Sequence, residues 1–147
     1  MGLITYLSSK PGRSGPASVL WAYLMNLAHA PLYGLLALWM ALMLPREHGW
    51  PRIDLRTSSF VLAAVMALGV TDELHQHVVV RRDLSLLDLG TDLTAAACTL
   101  WVAASVGRSD STEQGTVGRL LLAAGLCLAA AAAATTVPRF FPGVGWM

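Results

Sequence analysis

The sequence predicts an all-α fold, an integral membrane bundle of four transmembrane helices. Three observations carry that prediction. Charged residues make up 13% of the chain, where a soluble domain of this size carries about 25%. The mean hydropathy is +0.57. Four runs approach or exceed the ~20 residues a helix needs to cross about 30 Å of hydrocarbon. They cover roughly 19–44, 57–80, 84–106 and 117–137. Residues 19–137 thus form one membrane domain, with a polar segment, 1–18, before it and a tail, 138–147, after it. The formal net charge of +1 argues against nucleic acid as a partner. The partner that the composition implies is the lipid bilayer.

The elements follow in order. Lys10, Pro11, Gly12, Arg13, Gly15 and Pro16 break any regular pattern in the first segment. Ala28-His29-Ala30 imitates a signal cleavage site, but Pro31 follows and the apolar run continues to Leu44, so no cleaved leader is expected. Trp21 and Tyr23 suit an interface at the start of the first span. Pro31 removes a helix hydrogen bond within it and predicts a kink near His29. Pro45 closes the span, and Arg46 to Arg56 reads as a polar loop containing Trp50.

The second run is apolar only to Val70, too short to cross. It spans only if Thr71 to Val80 stays helical, with Arg81 and Arg82 marking its end. The third starts near Leu84 and carries Asp88 and Asp92 in its first two turns. The fourth is rich in Leu and Ala, and Pro138 is expected to stop it. Its Ala129–Ala134 stretch either admits a close neighbouring helix or is plain helix filler. Phe140, Phe141 and Trp146 give the tail an interfacial character. Cys98 and Cys127 lie inside apolar runs and read as small packing residues, not as a disulfide pair or a metal motif.

Four spans place both ends of the domain on one side of the membrane, here called proximal. Lys10, Arg13, Arg81, Arg82 and Arg139 fall on that side, and Arg46, Arg52, Arg56, Arg108 and Arg119 on the distal side. Five against five gives no orientation by the positive-inside rule.

Thr71 to Leu93 carries the chemistry. It holds five of the nine acidic residues and two of the four histidines, between apolar runs. Ionisable groups at membrane depth are costly and mark functional sites by default. The 1.5 Å helical rise places His29 about 15 Å deep, Asp72 about 13 Å, Asp88 about 6 Å and Asp92 about 12 Å from the proximal side. Three helices thus put their polar residues in one layer. Asn26, His29 and Tyr33 form one stripe; Glu73 shares a face with Gln76, Asp72 with His75 and Gln76, and Asp88 with Asp92. Four carboxyls in a low dielectric demand compensation from histidine, a retained proton, Arg81 and Arg82, or a cation. Glu73 or Asp72 suits a general acid or base, assisted by His29 and His75, with Arg82 holding an anionic group. His29, Asp72 and His75 also offer a weak metal-ligand set, without any HExxH or CxxC motif. The bland reading is structural: Arg82 and Asp88 staple a turn, His75 and His77 sit at a helix end, and Gln76 ties two helices.

The pattern resembles the VanZ-like family of small bacterial membrane proteins. The family signature runs Glu, Gln three later, Arg six beyond, then an Asp and an Asn opening the next helix. Here it reads Glu73, Gln76, Arg82, Asp88 and Asp92. An upstream Lys-x-x-His-x-x-x-Tyr element reads Asn26, His29 and Tyr33. The likeness covers roughly Asn26 to Trp101. Asn26 replaces the family Lys, Asp92 the Asn, Val80-Arg81 the Pro-Gly, and Ala95-Ala96 a Gly pair, so this site is more acidic than the pattern. The resemblance implies a bacterial cytoplasmic membrane protein linked to resistance to the glycopeptide teicoplanin. Gln76, Arg82, Asp88, Asp92, Tyr33 and Asn26 would line a site for a lipid-linked or glycopeptide ligand. No phosphate loop or coenzyme A site appears, and the cofactor is left unknown. Three readings stay open: an enzyme on an amphiphilic envelope substrate, a binding or scaffold protein, and, last, an ion pathway.

Overall fold

The computed structural model describes residues 19–80, 86–108 and 111–140, with the backbone alone at 76–80 and 138–140. The chain forms α1 (Val19–Leu42), β1 (Arg46–Glu47), β2 (Trp50–Pro51), α2 (Leu55–Val80), α3 (Leu86–Val106) and α4 (Glu113–Phe140). All four helices are long and apolar enough to cross a membrane. The fold is an all-α bundle of four such helices, with one two-residue-strand hairpin between the first two.

Three side-chain contacts fix an up-down-up-down order. Asn26, near the start of α1, bonds Thr135 near the end of α4. His29 on α1 meets Asp92 in the second turn of α3. Trp50, which follows α1, bonds Ala103 near the end of α3. The α1 start, α3 start and α4 end therefore share the proximal side.

The centre of the bundle is the α1–α3 pair. α2 and α4 pack on opposite flanks of it and barely meet each other. Small residues explain the closeness. A Cβ built at Gly34 would stand 2.8 Å from Thr99 Oγ1 and 3.8 Å from the Ala95 carbonyl oxygen. Close backbone approach is how membrane helices gain packing energy, since lipid tails are as apolar as leucine. The core is Tyr33, Ala37, Ala41, Val61, Val65, Ala96 and Leu100. Large apolar side chains such as Leu35, Trp39, Phe60 and Leu121 point outward. That inverts the soluble pattern and gives the lipid its contact surface.

Three expectations change at or between the helix ends. Pro138 does not stop the last helix, which continues to Phe140. A proline forfeits one backbone hydrogen bond, and a helix already formed on its N-terminal side can run on past it. The polar loop after α1 is an ordered hairpin. Arg46 pairs with Pro51 and Glu47 with Trp50. His48 and Gly49 have φ of 52° and 82°, the left-handed pair that a two-residue type I′ turn requires.

The distal end is capped by its own side chains. Asp54 Oδ1 accepts the Thr57 amide at 2.9 Å, and the Asp54 amide donates to Thr57 Oγ1 at 2.8 Å. This reciprocal cap satisfies amides that the first turn of α2 cannot bond internally. It also starts α2 at Leu55, ahead of the expected Thr57. Trp50 lies against Gly107, where a Cβ would run into the indole Cδ1. Its Nε1–H donates to the Ala103 carbonyl at 2.9 Å.

Candidate functional site

α1, α2 and α3 build the proximal polar layer together. On α1, His29 and Tyr33 are one turn apart, and their rings stack with centroids 6.1 Å apart and planes 11° apart. On α3, Asp88 and Asp92 are one turn apart and both are buried. His29 Nδ1 lies 3.1 Å from Asp92 Oδ1. The carboxylate side chain is 4% exposed and the imidazole 19%. The acid thus sits behind the ring, and the ring faces outward from it. With Asp92 ionised, Nδ1–H donates to Oδ1 and Nε2 becomes the basic ring nitrogen.

α2 brings its backbone close to this pair through Gly69. A Cβ there would stand 2.8 Å from Leu89 Cδ1, 3.5 Å from Asp92 Oδ2 and 3.9 Å from Tyr33 Cε1. Gly69, Asp72, Glu73 and Gln76 follow the three-and-four spacing of one helix face. Glu73 is buried and Asp72 half-buried. Tyr33 lies in the electrostatic field of Asp92, Asp72 and Glu73. Asp92 lies in that of Asp88 and Asp72. One phenol, one imidazole and several carboxyls from three helices therefore act on one another.

The remaining candidates fall differently. Asn26 shares the α1 stripe but turns to α4, where its Nδ2 donates to Thr135 Oγ1 at 3.1 Å. Thr135 in turn donates to the Ala131 carbonyl at 2.8 Å. His75 is half-buried in the helix turn after Asp72. Gln76 lies within α2, but its side chain, like Arg82 as a whole, is outside the described residues. Among the described residues, no three His, Cys, Asp or Glu side chains gather to hold a metal ion. His29, Asp72 and His75 therefore form no ligand set.

Two residues of this region escape the sequence reading. Gly69 shares the polar face of α2, and its spacing to Asp72 and Glu73 is the signal for it. Thr135 sits in an alanine-rich helix, and its pairing with Asn26 has no local signal. Among the described residues, no buried side-chain nitrogen or oxygen lacks a hydrogen-bond partner. An open depression lined by Val106, Ser111, Thr112, Glu113, Thr116 and Val117 lies at the α3–α4 turn, at the distal end. Compared with known proteins, the chain matches no family model, no curated protein and no solved structure.

Proposed function

We propose that the chain is a VanZ-like protein of the bacterial cytoplasmic membrane that acts on the polar head of an amphiphilic cell-envelope substrate. The observation that carries this reading is the His29–Asp92 pair, with the carboxylate buried behind a more accessible imidazole. A buried acid that fixes ring tautomer and orientation is the arrangement by which histidine serves as a general base. Three apolar helices contribute to the layer, so a substrate that meets it would arrive from the bilayer by its head group.

In this reading His29 moves a proton at Nε2, and Glu73 or Asp72 supplies the second acid or base. His75 assists from the shallower turn. Arg82 holds an anionic group such as a phosphate or carboxylate, for which a guanidinium is the better-matched cation. Asp88 and Tyr33 shape the floor. The complete hydrogen bonding of the buried side chains among the described residues favours a second reading. There the protein is a non-enzymatic scaffold, and the layer only locks three helices together.

Teicoplanin susceptibility of a sensitive bacterial host separates the two. Wild type and Glu73→Gln are expressed at equal membrane levels. Protection by wild type that Glu73→Gln abolishes is the expected result. Protection by both makes the layer structural and supports the scaffold. Protection by neither removes the glycopeptide link.

A further inference from the structure

Cys98 and Cys127 are far apart in the chain, yet the fold brings them near each other on two helices that pack together. The inward stripe of α3 runs Thr91, Ala95, Cys98 and Ser105, all buried. The inward stripe of α4 runs Ala123, Cys127, Ala131 and Ala134, with Cys127 half-buried between buried alanines. The two helices pack against each other. Their register follows from the turn that joins them, where Val106 lines one depression with Thr116 and Val117. From there Cys98 lies eight residues back along α3 and Cys127 ten residues on from Val117 along α4, about 12 Å and 15 Å by the helical rise. The thiols thus reach one level and lie close enough to act on each other electrostatically, while both remain free.

We infer that Cys98 and Cys127 form a convertible thiol pair that closes to a disulfide and fastens α4 to α3. The neighbours on both stripes are small, Ala95 on one and Ala123 and Ala131 on the other, and leave room for the bond to be made, an S–S of about 2.05 Å. Cys127 is the half-exposed partner on the least buried of the four spans. An oxidant dissolved in the lipid therefore meets it first. The co-reactant is a lipid-soluble two-electron oxidant, of which the azo compound diamide is the probe. The Cys127 S–H adds across N=N, forming an S–N bond and placing the proton on the far nitrogen. Cys98 sulfur then attacks Cys127 sulfur, and the S–N bond breaks as the S–S bond forms. The second thiol proton goes to the departing hydrazine. Two thiols lose two electrons and two protons, and the azo group gains both. The closed bond ties the helix that holds Asn26, through Thr135, to the helix that carries Asp92.

The test uses the full chain in native membranes. Diamide treatment is followed by denaturation and labelling with polyethylene-glycol maleimide. The chain has two cysteines, so untreated protein takes two labels. Oxidised wild type is expected to take none, to stay monomeric, to weigh two hydrogens less and to regain both labels with dithiothreitol. Cys127→Ala should keep one label at the same dose, and Cys98→Ala, which holds the adding thiol without its closing partner, should regain its one label with dithiothreitol. A Cys127→Ala/Leu128→Cys double variant keeps two thiols but turns one to a neighbouring face. Wild type should close at least about tenfold faster than it, because oriented groups react at high effective concentration. Equal rates in the two proteins, disulfide-linked dimers as the main product, or single-thiol adducts that never close would overturn the inference.

Discussion

On the proximal side, His29 and Asp92 meet at 3.1 Å with the carboxylate all but enclosed. On the distal side, Trp50 and the Ala103 carbonyl meet at 2.9 Å, beside an exposed hairpin whose Arg52 bonds Asp54 at 3.2 Å. The bond lengths are alike and the surroundings are not. At the distal surface Arg52 and Asp54 are exposed, and either one that loses its partner turns to water. A group that loses it within the bilayer has no bulk water to turn to, so the loss costs more there. The contrast teaches that bond length alone does not rank these contacts. What replaces the partner does.

The largest effect is expected from Asp92→Ala. It strips His29 of its carboxylate at membrane depth, and reversible unfolding in mixed micelles should show a loss of about 2–3 kcal/mol. A loss no larger than that of the distal variants would break the comparison. Next comes Gly107→Ala, which puts a methyl into the rigid indole of Trp50. Displacing the ring should cost about 1–2 kcal/mol in the same assay, as overpacking does. Trp50→Phe should cost less, because the Ala103 carbonyl still accepts the Gly107 amide at 3.2 Å.

The smallest effect belongs to Asp54. The Thr57 amide and hydroxyl, then Arg52, hold its carboxyl below the usual range. A lowered folded-state value means that the cap contributes fully above the unfolded value of about 3.9. The contribution fades as pH falls through the lower folded value. Carbon NMR of the Asp54 carboxyl should show a midpoint below that of a free aspartate. A midpoint at or above the free value would remove the cap from the account.

The four spans were legible because length and apolarity are local properties. The stretch Thr71 to Val80 is helical in α2, as a complete crossing requires. His29 and Asp92 meet at similar depths because the helical rise is uniform, so counting residues from the proximal boundary locates both. What was not legible depends on how helices face one another. Thr135 becomes the partner of Asn26 only once α4 is laid against α1. Cys98 and Cys127 look unrelated until the α3–α4 turn sets their register. The hairpin was hidden for another reason: only Gly49 announces the left-handed turn, while His48 adopts it against the usual preference. Pro138 was misleading because a proline near a helix end disturbs less than one in its middle.

The hairpin also governs how the orientation of this protein can be mapped. Proteases cut exposed, extendable chain. Residues 46–52 are tied by strand pairing and by the Arg52 amide on the Pro45 carbonyl at 3.0 Å. Protection from a protease would therefore be mistaken for burial behind the membrane. His48 is exposed at the tip, so a His48→Cys variant treated with an impermeant thiol reagent reads that face by chemistry that does not require the chain to open.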